Sequence, residues 1–214
     1  MRSAVRSRLP SAAAPAAAVA TVAVLDLVRT ASDWPLPAVA VLDESAHLLT
    51  AWLAVAAALG RGTPWRVLRW VLAGAVLLDL DHVPLYLGLD VTAGPSGGRP
   101  VTHSLATVAV LLAGAASMRR FRVPLAGLAA GVATQLWRDL STGPGVPLAW
   151  PVLPDDVRLP WTAYAVALVV VAGVATWRTV RGRTRPQAAW ADSGPAGRKV
   201  TVGRSIRQRT LRSR

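Results

Sequence analysis

Ionisable and polar side chains inside apolar stretches are the feature of this sequence with the clearest chemical content. An ionised side chain costs about 2.5–3.5 kcal/mol on scales of insertion into hydrocarbon, so each one needs a functional or structural reason. The chain has three histidines, and all of them belong to this set. The set comprises Asp43, Glu44, His47, Asp79, Asp81, His82, His103, Gln135 and Asp139. Imidazole and carboxylate groups in a chain without cysteine suit zinc, manganese or iron(II), so the set predicts a divalent metal site.

The spacing within the set places its members on shared helix faces. The pairs that are three or four residues apart are Asp43 with His47, Asp79 with His82, and Gln135 with Asp139. Pro84 closely follows His82 and predicts a kink that lets Asp81 turn inward as well. About one or two ions, zinc first among them, would offset the negative charge and acidify bound water, the usual route to ester or phosphoester hydrolysis.

The composition indicates the kind of protein that must position these residues. Of the 214 residues, 53% are hydrophobic and 16% are charged, and the mean hydropathy is +0.40. Soluble domains carry roughly 25% charged residues, so this chain lacks the polar surface of a soluble globule. The composition excludes intrinsic disorder of the whole chain, and the absence of cysteine excludes a disulfide scaffold. We therefore expect an all-α, polytopic membrane helix bundle.

About six segments are long and apolar enough, or nearly so, to cross a bilayer, which takes about 20 residues. The predicted spans are 11–29, 40–60, 67–89, 102–118, 123–141 and 160–178. The arginine-rich connections alternate with nearly neutral ones, which predicts a multi-pass membrane protein with both termini in the cytoplasm. The polar groups of four spans then lie at one level, roughly 0–10 Å below the outer surface.

The two ends of the chain and one internal stretch carry further predictions. The first span resembles a signal peptide in its basic start, but no small-x-small cleavage site follows Val28, which favours a retained helix. Residues 1–178 form the predicted transmembrane domain, with Asp26 near its first outer end paired to Arg29. Residues 145–154 are apolar but too short to span, so they lie at the outer interface or fold back over the bundle.

Residues 179–214 form a predicted disordered, cytoplasmic tail. From Arg178 to Arg214 the chain carries ten Arg and one Lys against one Asp. The positive-inside rule accounts for this charge, and anionic lipid is a candidate partner. No nucleic-acid partner is expected, and the oligomeric state stays open.

Several motifs occur in a characteristic order. They are Ala46-His-Leu-Leu49, Leu78-Asp-Leu-Asp-His-Val-Pro84, Gly98-Arg-Pro-Val-Thr-His-Ser104, Gln135-Leu-Trp-Arg-Asp139 and Gly143-Pro-Gly-Val-Pro-Leu-Ala-Trp-Pro151. Over about residues 43–160 the chain resembles the YdjM-like family of bacterial inner-membrane proteins, described as predicted metal-dependent hydrolases. The resemblance implies that the metal ligands or catalytic groups are His47, Asp79, Asp81, His82, His103 and Asp139.

The resemblance also bears on the residues around those ligands. Thr102 and Ser104 are expected to orient His103 or to cap its helix. Gln135 stands where the family usually has a histidine, and a neutral amide is a poor zinc ligand. Either Gln135 holds a water molecule or a substrate oxygen, or one metal position is lost.

Three classes of function follow from the residues and the resemblance. The first is a metal-dependent hydrolase that acts on an ester or phosphoester of a lipid or lipid-linked molecule at the outer leaflet. In it Asp43 or Glu44 is the general base, and Arg99 or Arg138 steadies negative charge. The second is a non-catalytic membrane protein with a structural metal or polar cluster. The third is a transporter that uses the intramembrane carboxylates, although the inner halves of the spans are mostly Ala, Val and Leu.

Overall fold

The computed structural model describes residues 12–86 and 99–184, and these form an all-helical protein. The α-helices are α1 (Ala14–Thr30), α2 (Leu36–Leu59), α3 (Trp65–Leu77), α4 (His82–Tyr86), α5 (Leu105–Ser117), α6 (Arg122–Asp139) and α7 (Trp161–Thr184). Short 3₁₀ turns lie at Gly60–Gly62, Leu78–Asp81 and Arg119–Phe121. The described ranges contain no β-strand beyond an isolated antiparallel bridge between Val146 and Val157. The predicted all-α class is confirmed.

Proline and glycine explain where the first helices begin and end. Pro15 lies in the first turn of α1, and Pro35 and Pro64 occupy the N-cap positions of α2 and α3. A proline there loses no helical hydrogen bond, because the first N–H groups of a helix have no partner within it. α2 ends at Gly60, whose φ of 72° is open to glycine without steric cost.

Each predicted span overlaps one helix, or in the third case α3 followed by the 3₁₀ turn and α4. Two segments, Leu36–Leu59 and Trp161–Arg181, are long and apolar enough to cross a membrane, and Leu105–Ser117 is a shorter apolar helix. Only 33% and 28% of the most apolar windows of the two long segments are buried. A core helix of a soluble protein is buried over most of its length, so this exposure fits helices in contact with lipid.

α7 corrects the boundary between the predicted domain and its tail. The helix continues to Thr184, so residues 179–184 are helical and not part of a disordered segment. Arginine is a good helix former and is favoured near a helix C-terminus, where it interacts with the helix dipole. Arg178 also donates a hydrogen bond to the Ala58 carbonyl at 2.5 Å. The rest of the predicted tail lies outside the described residues.

α2 is the central helix of the bundle and contacts α1, α3, α6 and α7. One buried cluster joins α1, α2 and α7, and it consists of Ala18, Val22, Ala46, Leu53, Tyr164, Leu168 and Ala172. A second joins α2 to α3 through Ala51, Val55, Val71 and Ala75. This position explains why the polar residues of α2 can reach groups from several other elements.

Small residues allow α3 and α6 to pack at very short range. A Cβ atom added to Gly74 would overlap the backbone of Leu128, and one added to Gly131 would overlap the backbone around Val71. Such glycine contacts are typical of helix pairs in membranes, where close approach increases van der Waals contact. The pairing fixes the end of α6 next to the segment that follows α3.

That segment is the 3₁₀ turn Leu78–Asp81, which interrupts the third predicted span. Pro84 explains the interruption, because its ring clashes with the carbonyl of residue 80 and it has no N–H to donate. The predicted irregularity before Pro84 is therefore confirmed. The 3₁₀ turn changes the direction of successive side chains at the point where Asp79, Asp81 and His82 occur.

The apolar stretch at residues 145–154 folds back onto the helices. Val146 is fully buried and packs with Val132 and Leu136 of α6. The Leu148 carbonyl accepts a hydrogen bond from the Leu105 N–H at 2.9 Å, which ties the stretch to the start of α5. The folding back of this stretch over the bundle, which was one of the two positions expected from the sequence, is therefore observed.

Candidate metal centre

Four separate parts of the chain deliver polar side chains to one place. α2 contributes Asp43, Glu44 and His47; the 3₁₀ turn and the start of α4 contribute Asp79, Asp81 and His82; the residue pair before α5 contributes His103; the end of α6 contributes Asp139. The convergence expected from the sequence is therefore present in the structure. It joins residues up to about a hundred positions apart into one cluster.

Asp79, His82 and His103 form the centre of this cluster. Each offers one ligand atom, and these atoms all lie within 4.8 Å of one another. Asp79 Oδ1 is 3.0 Å from His103 Nε2 and 3.6 Å from His82 Nδ1. The two imidazole rings are nearly perpendicular, with centroids 5.0 Å apart. We call these three residues the metal triad.

Asp81 supports both histidines of the metal triad. Its Oδ1 is 2.9 Å from His82 Nδ1, and its Oδ2 is 3.2 Å from His103 Nδ1. The Thr102 hydroxyl donates a hydrogen bond to Asp81 Oδ2. Thr102 thus contacts Asp81, which in turn contacts His103, an arrangement consistent with the predicted role of Thr102 in orienting His103.

Ser104 occupies the N-cap position of α5, as predicted, but its side chain makes no capping hydrogen bond. It is fully buried, and its hydroxyl has no hydrogen-bond partner among the described residues. The backbone of Ser104 is extended, with φ −137° and ψ 162°, and this directs the chain from His103 into the helix. Ser104 therefore occupies the predicted cap position with its backbone, but its hydroxyl group does not cap the helix.

A second, fully buried part of the cluster adjoins the metal triad. His47 Nε2 is 3.3 Å from Asp139 Oδ1, and Asp139 Oδ2 is 3.7 Å from His103 Nε2. Asp139 therefore links His47 to the triad, while Asp43 lies at 4.0 Å from His47. Gln135 is also fully buried, and neither amide atom has a hydrogen-bond partner within residues 12–86 and 99–184.

The two arginines expected to steady negative charge are both buried and paired. Arg99 Nη2 is 2.9 Å from Asp139 Oδ1 and donates to the Thr142 carbonyl at 3.0 Å. Arg138 Nη2 is 2.6 Å from Asp26 Oδ1 and 3.0 Å from Asp43 Oδ1. Two sequence expectations need correction: Arg138 joins helices and is not open to a substrate, and Asp26 pairs with Arg138 and not with Arg29.

A cavity of about 390 Å³ lies against this cluster. Its polar lining consists of Arg29, Asp43, Glu44, Asp79, His82 and Arg99. The Glu44 carboxyl lines the cavity together with the Asp79 carboxyl, and its buried Oε2 has no hydrogen-bond partner in the described part of the chain. Two members of the metal triad thus face a space large enough for a small polar group.

The donor set fits a divalent ion. Two imidazoles and a carboxylate, without sulfur, are the ligands that zinc, manganese and iron(II) accept. Asp81 and Asp139 each contact His103 and add negative charge around the metal triad, which a cation would offset. Gln135 lies outside the metal triad, so the missing family histidine leaves these three donors in place.

A comparison with protein families decides the relationship suggested by the motifs. The family model described as "YdjM inner membrane protein" matches residues 42–194, which is more than half of the chain. The chain belongs to this family. Its site residues from Asp43 to Asp139 all lie within the matched range, and membership places this YdjM family protein in the inner membrane. No curated protein and no solved structure matches the chain.

Two residues that the sequence analysis did not assign to the site lie beside it. Asp26 balances Arg138, and Arg29 lines the cavity next to Asp43 and Glu44. Both belong to α1, whose charged residues were explained by their short separation along the helix. The sequence does carry a signal for both residues, because Asp26 and Arg29, like the other members of the set, are ionisable residues inside an apolar segment.

Proposed function

We propose that this YdjM family protein is a membrane-embedded, metal-dependent hydrolase that cleaves an ester or phosphoester of a lipid or lipid-linked molecule. The observation that carries the proposal is the metal triad, whose ligand atoms converge within 4.8 Å beside a cavity of about 390 Å³. A divalent ion held there would supply Lewis acidity and acidify water for attack on the ester. Zinc is the first candidate, and manganese and iron are the alternatives.

The chain's own residues have distinct roles in this proposal. Asp79, His82 and His103 hold the ion, while Asp81 fixes both imidazoles through the contacts already described. His47 and Asp139 complete the charge balance on the buried side, and Asp139, which contacts both His47 and His103, would allow these residues to hold a second ion. Gln135, fully buried beside Asp139 on the same helix, holds a water molecule or a substrate oxygen.

Glu44 is the better candidate for the general base. Asp43 already accepts a hydrogen bond from Arg138 at 3.0 Å, which stabilises its ionised form and reduces its basicity. Glu44 faces the cavity with one oxygen that has no hydrogen-bond partner in the described ranges. A carboxylate in that position can accept a proton from water that enters the cavity.

The proposal includes a membrane orientation. In it the chain crosses the inner membrane six times with both termini in the cytoplasm, and the metal triad lies near the outer face. The alternating arginine-rich connections support this topology. The exposed apolar surfaces of α2, α5 and α7 support contact with lipid on several sides. A substrate at the outer leaflet would then reach the cavity from the membrane.

A structural role for the cluster is the alternative that the geometry also favours. The ion pairs join α1, α2, α6 and the segment after α3, so they would stabilise the bundle without any reaction. A transporter is less well supported, because a cavity of about 460 Å³ between α2, α3 and α6 is lined mainly by Ala and Val and offers few polar groups. Metal content and activity together distinguish these alternatives.

Elemental analysis of the full-length protein purified in detergent tests the proposal first. We expect about one or two equivalents of a transition metal in the wild type, and loss of at least one equivalent in His82→Ala and in His103→Ala. Asp155→Asn, which changes an exposed carboxylate in a loop, is the matched control and should keep the full content. A wild type that stays empty after incubation with zinc, manganese and iron would contradict the proposal.

Hydrolysis of a panel of lipid phosphates and carboxylic esters is the second test. Glu44→Gln should lower kcat by about 100-fold or more while metal content stays unchanged, because the amide cannot accept the proton. A metal-loaded protein that hydrolyses none of these compounds, and whose His103→Ala variant is only less stable, would favour the structural alternative.

A further inference from the structure

Three arginines surround the carboxylates of the candidate metal centre, and two of them are already engaged. Arg99 pairs with Asp139, and Arg138 pairs with Asp26 and Asp43. Arg29, by contrast, makes no hydrogen bond and no ion pair within 4 Å with a described residue, and its charge acts on Asp43 only through space, across the cavity that both residues line. Its charge is thus the part of this arginine set that is open to an external anion.

The position of Arg29 makes it accessible from two sides. It is half-buried in the last turn of α1 and lines the 390 Å³ cavity together with Asp79 and His82 of the metal triad. It also lines a neighbouring cavity of about 550 Å³. A guanidinium has five N–H donors, and a partly buried one without acceptors is costly unless a ligand supplies them.

The larger cavity has a mixed lining, in which an apolar wall adjoins polar residues that include Asp26 and Arg158. It lies between the end of α1 and the start of α7, with Ala23, Leu27 and Trp161 on its wall. Leu27 is 69% exposed and Trp161 is 45% exposed, so the wall continues onto the outer, apolar surface of the bundle. An acyl chain could therefore pass from the surrounding lipid along α1 toward Arg29.

We propose that Arg29 binds the phosphate group of an amphiphilic phosphate ester, with the phosphate at the junction of the two cavities and the apolar part in the larger one. This inference rests on the proposed function, because it assigns the substrate class of the same site. Arginine suits the role, since its planar group donates two parallel hydrogen bonds to phosphate. Arg29 lines the same cavity as Asp79 and His82, so a phosphate bound there would place its ester bond on the side of the metal triad.

Isothermal titration of the full-length protein in detergent tests the inference with two probes, inorganic phosphate and dihexanoyl phosphatidic acid. We expect Arg29→Gln to weaken the binding of both by about tenfold or more, and Arg29→Lys to retain part of the affinity. Ala23→Trp, which fills the larger cavity, should weaken the lipid probe and leave inorganic phosphate unaffected. Arg66→Gln, a change at an exposed arginine of α3, is the matched control and should alter neither.

The outcomes separate the parts of the inference from the proposed function. Binding of both probes that is unchanged in Arg29→Gln would overturn the assignment of Arg29. If the lipid probe binds no tighter than inorganic phosphate, and if Ala23→Trp does not change its affinity, the larger cavity does not bind an apolar group. That result would overturn the assignment of an amphiphilic ligand and favour a free phosphate. Metal content is measured on the same samples, so Arg29-dependent binding by a protein that takes up no metal would refute the hydrolase and leave the phosphate site standing.

Discussion

Arg138 shows how much of this bundle depends on single charged side chains. It is fully buried, with Asp26 on α1 and Asp43 on α2 as its partners, and the Trp161 indole donates to Asp26 at 3.1 Å. Four helices thus meet at one guanidinium. A buried ion pair adds little compared with an apolar replacement of both partners, but removing one partner leaves the other charge uncompensated.

We therefore expect Arg138→Met to lower the free energy of unfolding by about 3–5 kcal/mol, because Asp26 and Asp43 lose their counter-ion. Thermal unfolding of the detergent-solubilised protein, followed by circular dichroism, measures the change. Arg158→Met removes an exposed arginine and serves as the control. The double variant Asp26→Asn/Arg138→Met should recover part of the loss, and an Arg138→Met protein as stable as the control would refute this role.

The identity of the site residues could be predicted from the sequence more readily than their partners. The cost of a charge in an apolar segment singles out the members of the cluster, and His47, His103 and Asp139 do meet in the structure. The pairing of Arg138 with Asp26 could not be found in this way, because 112 positions separate them. Spacing along a helix identifies only neighbours within that helix, so the sequence suggested that Asp26 pairs with Arg29, which is three residues away.

At the scale of elements, the closest interaction is the glycine contact between α3 and α6. It determines how far the end of α6, with Gln135 and Asp139, lies from the turn that carries the metal triad's Asp79. The sequence predicted both helices but not this distance, because an apolar pattern shows which face is buried and not how closely two backbones approach. The break before Pro84 was predictable, since proline acts on its own helix.

Gly131→Ala should lower the free energy of unfolding by about 1–3 kcal/mol, because the added methyl group overlaps the backbone around Val71 and forces the helices apart. Gly173→Ala is the matched control, since nothing lies within 4 Å of a Cβ atom there. It should be neutral or slightly stabilising, as alanine is the better helix former. Chemical unfolding in mixed micelles compares the two, and equal stabilities would contradict the close packing of α3 and α6.

For the whole molecule, the proposed orientation in the membrane places two loops on opposite sides. Six spans with cytoplasmic termini put the connection at Arg120 inside and the loop at Asp155 outside. Both residues are exposed, and the chain contains no cysteine, so single-cysteine variants give a signal without background. The proposal that the metal triad lies near the outer face depends on the same orientation.

In intact cells, a membrane-impermeant maleimide should label Asp155→Cys and not Arg120→Cys. Arg120→Cys should become reactive only after the membrane is permeabilised, because its side chain then meets the reagent from the cytoplasmic side. Gel-shift of the labelled protein measures both. Equal labelling of the two variants in intact cells, or labelling of Arg120→Cys alone, would contradict the six-span topology.

The 3₁₀ turn has a consequence for how such a chain is made. Asp79 and Asp81 precede their partner His103 in the sequence, and the α6 aspartate follows later still. In the proposed topology, the third apolar segment therefore reaches the insertion machinery with two carboxylates that have only His82 of the same segment beside them, and each charge adds to the cost of insertion. Stable insertion of this segment has to wait for the following helix, or for protons or an ion that neutralise it. Biogenesis of the protein is thereby coupled to the completion of its own site.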